Sequence, residues 1–177
     1  MTIENFAEQF EDIYNETFTD EFVEDVIQTI WKNKFDSSSL DLNNKFGIYV
    51  FFLKQKNKFK TFNELEQKWN EEGYIKTPKA INKNFKDNKE INGSYVFYVG
   101  KSEKLFKRIN EHLTHHSHHA TYGLKLSNRK NFNLDDFEIG YWVLPSEKSI
   151  SKAVKQFVIT TIEQEVRKKL SPLIGKK

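Results

Sequence analysis

Three short stretches of the chain contain residue types that could act together on a phosphate ester. Residues 47–49 read GIY, residues 98–100 read YVG, Arg108 and His112 follow four residues apart, and Glu163 lies near the C-terminal end. A guanidinium matches a phosphate through two parallel hydrogen bonds, and a carboxylate holds a hard divalent ion through oxygen. Hydrolysis of a phosphodiester needs such positive charge, a positioned water and a group that removes the water's proton.

The pattern of apolar side chains around these residues predicts a sheet. Residues 45–53 (KFGIYVFFL) and 94–100 (SYVFYVG) are dense apolar and aromatic runs too short for helices, which is typical of buried strands. Residues 136–144 predict a third strand. We therefore expect a mixed α/β (α+β) domain with a small, mainly antiparallel three-stranded sheet flanked by helices.

Two helices are expected to carry the remaining candidates. The first begins after Gly100, with apolar residues on one face and Arg108 and His112 on another. The second covers residues 151–170, contains Glu163, and has basic residues in its last turn, where the helix dipole favours them. Packing alone gives no reason for an arginine and a histidine to share a face at that place, so the face is a candidate for function.

The chain divides into segments of different composition. Residues 1–36 carry apolar positions at helical spacing among acids, which predicts an acidic helical N-terminal extension. Residues 45–177 are expected to form the main domain, interrupted by an insertion at residues 54–93 that contains a helical stretch and a lysine-rich loop. Because the free energy of loop closure grows only logarithmically with length, the first two strands can still pair across this insertion.

Charge and composition limit the partners. Net charge is +3, but residues 1–36 hold ten acids against two lysines, a balance of −8, so the remainder carries +11. A basic body suits a polyanion such as DNA, although a lysine-rich solvated surface would have the same composition. The absence of cysteine excludes disulfides and thiolate metal sites. No stretch resembles a membrane span or a signal peptide, so we expect a cytoplasmic protein with no membrane partner.

The two tripeptides and the residues that follow them resemble the GIY-YIG nuclease superfamily. From Tyr98 the spacing is Y-V-G-x7-R-x3-H, and Glu163 precedes Pro172 by nine residues, which looks like that family's terminal pattern. The resemblance covers residues 47–175. The chain departs from the family at two places. The two tripeptides are separated by 48 residues, where the family has a short loop, and Gly175 stands where the family often has asparagine.

The resemblance implies a metal-dependent endonuclease that hydrolyses DNA phosphodiester bonds, with restriction and other defence roles as candidate settings. It implies that Glu163 holds a divalent metal ion, magnesium or manganese, and that Arg108 binds the phosphate. Tyr49 would activate the attacking water, Tyr98 would orient it, and His112 would donate to the phosphate or relay the proton. Further residues of the motif would bind the substrate: Gly100, Lys101 and Lys104. Because a phenol has a pKa near 10, Tyr49 would need a cationic neighbour, Lys101 or His112.

Each candidate also has a purely structural interpretation when it is taken singly. The two tyrosines are then strand aromatics, Arg108 and His112 form an exposed helix face, and Glu163 is a solvated helix residue with Glu165 as its competitor for the metal. The joint pattern favours the nuclease. The second hypothesis is a nucleic-acid-binding module that keeps the same fold and cleaves little or not at all.

The histidines support a third hypothesis, a metal-binding module. All five lie between residues 112 and 119, at spacings that could bind zinc or nickel. The alternative interpretation places this segment in a loop near the active site, where partly protonated imidazoles would meet DNA phosphates. The sequence leaves the oligomeric state open.

Overall fold

The computed structural model describes residue 8 and residues 11–12, 14–54, 59–127, 129–145 and 150–175. The predicted helical pattern of the N-terminal extension starts earlier, so its first part lies outside these residues, as do Lys56 and Lys58 of the insertion. Within the described ranges, no helix is both long and apolar enough to cross a membrane.

The described elements are a mixture of helices and strands along the chain. In chain order they are α1 (Asp20–Lys32), β1 (Gly47–Leu53), α2 (Phe62–Asn70), β2 (Lys79–Ala80), α3 (Asn82–Asp87), β3 (Glu90–Ile91), β4 (Ser94–Ser102), α4 (Leu105–Thr114), β5 (Phe137–Val143), α5 (Lys152–Leu170) and β6 (Ile174–Gly175), with 3₁₀ helices at Leu40–Asn44 and Leu134–Asp136. The ends of the helices follow their local sequence. Thr19 caps α1 and Ser151 caps α5, each accepting a backbone N–H three residues later.

The central sheet contains the three predicted strands. β1 lies in the middle and pairs antiparallel with β4 on one side and β5 on the other. The short strand β3 pairs with the outer side of β4, so the order is β3-β4-β1-β5. The mixed α/β class is therefore confirmed, but the sheet has four strands where three were expected. The fourth comes from the end of the insertion, whose strand-forming run is only two residues long.

The two faces of β1 bury different kinds of side chain. Because successive residues of a strand point to opposite faces, Ile48, Val50 and Phe52 contact a cluster that includes residues of α1 and α5. Tyr49 and Phe51 contact the other cluster, which includes residues of α4. All seven residues of β1 are buried, which explains why the strand reads as a continuous apolar run.

The acidic N-terminal segment packs on the sheet. The acids of α1 are exposed. Its four buried aliphatic side chains pack against β1, β5 and α5: Val23, Val26, Ile27 and Ile30. The chain after α1 then runs along β5, where Phe35 N–H donates to the Ile139 carbonyl at 2.8 Å. A Cβ at Gly140 would lie 2.1 Å from the carbonyl oxygen of Ile30, so a glycine is required for this close approach. In this packing α1 supports the face of the sheet opposite α4.

The insertion also packs on the main domain. In α2, Leu65 and Trp69 are buried in the same cluster as Tyr49, and the Trp69 indole N–H donates to the Pro78 carbonyl at 2.6 Å. β2 pairs antiparallel with β6. The Lys54 ammonium donates to the Asp135 carbonyl at 3.1 Å. The insertion therefore forms part of the folded core and holds the chain that follows α5.

Candidate active site

Tyr49 lies across the neighbouring strand at a glycine. In the sheet Tyr49 is opposite Gly100. A Cβ added to Gly100 would lie 2.5 Å from both the Tyr49 hydroxyl oxygen and the ring carbon that bears it. The glycine of the YVG tripeptide therefore leaves the space that the tyrosine of the GIY tripeptide occupies, which links the two motifs directly.

His112 lies behind the Tyr49 hydroxyl and is fully buried. Its Nε2 is 2.8 Å from the Tyr49 hydroxyl oxygen, and its Nδ1 accepts the Leu124 backbone N–H at 2.9 Å. Because Nδ1 is an acceptor, the neutral imidazole carries its proton on Nε2 and donates to Tyr49. Burial, followed by the charge of Arg108, holds the pKa of His112 well below its usual range. His112 is therefore neutral and too deeply buried to contact a phosphate, so any role it has in catalysis acts through Tyr49.

Tyr98 completes a group of rings over the same part of the sheet. Its ring centroid is 5.2 Å from that of His112 and 6.2 Å from that of Tyr49. Burial raises the pKa of Tyr98, and burial followed by the proximity of Tyr98 raises the pKa of Tyr49 well above its usual value. Arg108 opposes both shifts. Both phenols are neutral in this state of the protein.

Arg108 lies between Tyr49 and the loop that follows α4. Its guanidinium donates to the Glu111 carboxylate at 2.8 Å and to the Tyr122 carbonyl at 2.9 Å, and its charge opposes the rise in the pKa of Tyr49. The side chain of Arg108 is only 22% exposed. The helix face on which we expected Arg108 and His112 to be open is therefore largely covered, because the chain from Tyr122 to Leu124 folds back over it.

Glu163 faces the tyrosines from α5. Its carboxylate is 3.4 Å from the Arg167 guanidinium and 3.9 Å from the Lys101 ammonium, and its side chain is 13% exposed. The charge of Glu163 contributes to raising the pKa of both Tyr49 and Tyr98, so it lies within electrostatic range of the two phenols.

Glu165, the competing carboxylate, points elsewhere. It accepts the Tyr14 hydroxyl at 3.1 Å and the Lys168 ammonium at 2.6 Å. It therefore lies on the side of α5 that contacts the N-terminal segment. The two carboxylates are only two residues apart in sequence but face different parts of the molecule, as expected for neighbours on a helix.

The three residues proposed to bind substrate lie at different depths. Gly100 is buried under Tyr49, and the Lys101 ammonium donates to the Thr160 hydroxyl at 2.5 Å beside Glu163. Lys104 is exposed and precedes the first residue of α4, one helical turn before Arg108. Lys101 is therefore next to the carboxylate, whereas Lys104 lies at the rim of the site.

Three contacts of this site involve residues that sequence reasoning missed. Arg167 binds Glu163 at a spacing of four residues, Glu111 binds Arg108 at a spacing of three, and Leu124 fixes the ring of His112 through its backbone. The first two are pairs of opposite charge at helical spacing and could have been found from the sequence. The third depends on how a loop folds back and leaves no pattern.

The histidine loop after α4 is organised by a lysine. The buried Lys125 ammonium donates to the carbonyls of Ile75, Ser117 and His119 at 2.7, 3.2 and 2.6 Å. The His115 and His119 rings stack at 3.7 Å. No group of three metal-binding side chains occurs among the described residues. A positive charge at the centre of the loop opposes a second cation there, so this geometry does not favour the histidine metal site.

Glu163 supplies one carboxylate of the type that holds a hard divalent ion, and two cations, Arg167 and Lys101, lie beside it. One carboxylate is available from the protein beside the phosphate-binding candidate Arg108, and magnesium is often held by one or two carboxylates, waters and substrate phosphate. The contacts of Glu163 to Arg167 and Lys101 are long for charged hydrogen bonds, so they leave its oxygens able to accept another cation.

The five motif residues therefore converge from four elements: Tyr49 from β1, Tyr98 from β4, Arg108 and His112 from α4, and Glu163 from α5. The chain was compared with protein-family models, with curated proteins and with solved structures, and none of the three comparisons found a significant match.

Proposed function

We propose that this protein is a GIY-YIG-type, metal-dependent endonuclease that hydrolyses phosphodiester bonds in DNA. The observation that carries the proposal is the contact between the two tripeptides: Tyr49 lies against Gly100 and is hydrogen-bonded to His112, while Arg108 and Glu163 both act electrostatically on its hydroxyl. Packing a core does not require two phenols, a guanidinium, an imidazole and a carboxylate in one place. Buried polar clusters of this kind are typical of functional sites.

Tyr49 is the candidate proton acceptor for the attacking water. His112 donates to the phenolic oxygen, and Arg108 lies beside it, so two hydrogen-bond donors would stabilise a phenolate. The Tyr49 side chain is only 1% exposed. Access of a water therefore requires side chains around the hydroxyl to move, and we propose that binding of a phosphate by the Arg108 guanidinium starts this movement. In this mechanism substrate binding opens the path to the base.

The other residues act on the phosphate. Arg108 would neutralise the non-bridging oxygens, where charge develops in the transition state. Glu163 would hold the divalent ion, which, when bound, supplies Lewis-acid stabilisation of the phosphate and leaving oxygens. The Lys101 ammonium lies 3.9 Å from the Glu163 carboxylate and would help to orient it. His112 is a positioning residue, because its contact is with Tyr49 and not with the substrate.

The decisive experiment is cleavage of supercoiled plasmid with and without magnesium, comparing the wild type with Glu163→Gln and with the matched control Glu165→Gln. We expect the wild type to produce nicked or linear DNA only with the metal, Glu163→Gln to be inactive, and Glu165→Gln to cleave normally. Both carboxylates are on α5, so the pair separates loss of the site from a general effect on the helix. Normal cleavage by Glu163→Gln would refute the assignment of the metal ligand.

Two observations favour a second candidate function, a nucleic-acid-binding module that does not cleave. Tyr49 is almost fully buried, and its pKa is raised well above its usual value, mainly by burial. Both features oppose a role as a base in the free protein. The plasmid assay separates the two candidates, because a binding module would retard the plasmid without changing its topology under any metal condition.

A further inference from the structure

The insertion and the C-terminal half of α5 enclose a groove. It has a volume of about 620 Å³. Seven polar or charged residues line it: Lys83, Asn84 and Asp87 from the insertion, Gln164, Arg167 and Lys168 from α5, and Ser171 directly after α5. Because Arg167 lines the groove and also contacts Glu163, the groove adjoins the candidate active site.

Hydrogen bonds hold the insertion side of this groove in place. The Asn84 side-chain amide donates to the Pro172 carbonyl at 2.9 Å, and that of Asn88 donates to the Ser171 carbonyl at 2.7 Å. The Lys89 N–H donates to the Leu170 carbonyl at 3.1 Å. The last carbonyls of a helix and of the chain after it need partners from outside the helix, and the insertion supplies them. The groove is therefore preformed and does not depend on the position of a free loop.

The groove is basic and shares a residue with the active site. Three cations line it (Lys83, Arg167 and Lys168) against one acid, Asp87. The Lys168 ammonium is balanced in part by Glu165 at 2.6 Å. The Arg167 guanidinium also lies 3.4 Å from the Glu163 carboxylate. A polyanion bound at Arg108 would meet the positive charge of Arg167 first and that of Lys83 and Lys168 next.

The α5 side of the groove is long enough for a short piece of a nucleic acid strand. From Gln164 to Lys168 the helix rises about 1.5 Å per residue, which gives roughly 6 Å along its axis. A strand of duplex DNA advances about 3.4 Å per nucleotide, so this length corresponds to about two nucleotides. Building on the proposed function, we infer that this groove binds two successive phosphates of the cleaved strand, on one side of the bond that is cut. The insertion then acts as a clamp for the substrate backbone.

The experiment measures binding of a short labelled DNA duplex at several salt concentrations in EDTA, so that no cleavage occurs. The double variant Lys83→Gln/Lys168→Gln removes two groove charges. The control, Lys60→Gln/Lys130→Gln, removes two exposed lysines that do not line the groove and leaves the same net charge. Each lost phosphate contact should flatten the dependence of log K on log salt by about 0.9, so we expect a slope shallower by up to about 1.8 for the groove variant and no change for the control.

Equal slopes for the groove variant and the wild type would overturn the inference, and so would equal flattening in the control, which would indicate bulk charge only. The plasmid assay keeps this result separate from the proposed function. If the wild type cleaves in magnesium and the groove variant has the same salt slope as the wild type, the groove does not bind the DNA backbone, but the proposed nuclease function stands. A groove-dependent slope in a protein that never cleaves would refute the nuclease and leave the clamp. A wild type that neither binds nor cleaves would refute both.

Discussion

The two faces of the central strand β1 show a sharp contrast. On one face Ile48, Val50 and Phe52 meet aliphatic side chains of α1 and α5. On the other face Tyr49 meets a buried histidine that is itself in the field of an arginine. Both faces are equally well covered, so burial does not distinguish them. The difference is in polar content.

This contrast separates stability from chemistry in the same strand. A buried polar group costs free energy unless it is hydrogen-bonded, and a fold that needed only a core would do without it. The face toward α4 carries that cost at Tyr49 and His112 and satisfies it with a specific chain of hydrogen bonds through Leu124. Substitutions on the two faces should therefore have different consequences, and four experiments measure the difference.

The largest expected effect is on the aliphatic face. Ile30→Ala removes a fully buried side chain of α1 and should lower the free energy of unfolding by about 2–5 kcal/mol, because it leaves a cavity. The cleavage rate of the folded protein should not change. Chemical denaturation measures the first quantity, and Leu40→Ala, which truncates a 58% exposed side chain, serves as the control. A slower cleavage rate in folded Ile30→Ala would contradict the claim that this face of the sheet contributes only to stability.

On the polar face, Arg108→Ala should lower the cleavage rate on the order of 10²–10³-fold, as expected when a donor to the developing charge is lost. It also removes the hydrogen bonds to Tyr122 and Glu111, so a modest loss of stability should accompany it. Single-turnover cleavage at a temperature where both proteins are folded measures the rate. Lys107→Ala is the matched control, because Lys107 is the adjacent cation and is exposed. Equal cleavage rates for the two variants would show that Arg108 has no role in cleavage.

Two substitutions of His112 each keep one of its two hydrogen bonds and remove the other. Gln places an N–H donor near the position of Nε2 and keeps the bond to Tyr49, whereas Asn places an acceptor near Nδ1 and keeps the bond from Leu124. Since one hydrogen bond contributes about 0.5–1.5 kcal/mol, we expect His112→Asn to cleave up to about tenfold more slowly than His112→Gln. The pH–rate profile of His112→Asn should also move to higher pH, because the phenolate loses a donor. The opposite ranking would show that the donor to Tyr49 is not what matters.

The smallest effect is a dependence of stability on pH. The pKa of His112 is depressed in the folded protein, so below pH ~6.5 the unfolded chain binds a proton that the folded chain does not. The free energy of unfolding should fall as the pH falls through that range, by at most about 1.4 kcal/mol per pH unit from this group. Denaturation at several pH values should show a shallower slope for His112→Gln than for the wild type. Identical slopes would mean that the pKa of His112 is the same in the folded and the unfolded states.

The sequence predicts much of this fold because the relevant signals are local. The strand patterns at β1, β4 and β5, the pairing across the insertion and the motif spacing can all be read from neighbouring residues. The burial of His112 was not predicted. This residue lies seven residues after Leu105 and three after Ile109, which are both buried, so helical spacing places it inward. We expected it on the exposed face with Arg108 because a histidine is polar, but a backbone N–H from Leu124 satisfies it.

The role of the insertion could not be predicted for a different reason. Its contacts with the chain after α5 rest on two-residue strands and on side-chain amides that bind carbonyls, and neither leaves a periodic pattern. The same holds for Lys125, whose three acceptors come from two separate loops. Contacts between residues far apart in sequence follow from the final packing, so the residues that make them look like ordinary polar loop positions.

The pairing of β2 with β6 has a consequence for how the protein is made. β2 leaves the ribosome long before β6 does. The strand β2 of the insertion therefore stays unpaired while α4, β5 and α5 are synthesised. Until then its side-chain amides and the apolar residues of α2 have no complete surface to pack on. Native structure in the insertion and in the chain after α5 should therefore form late and together, in a slow step dominated by distant contacts. A nascent chain halted before Ile174 would expose this region to proteases and chaperones.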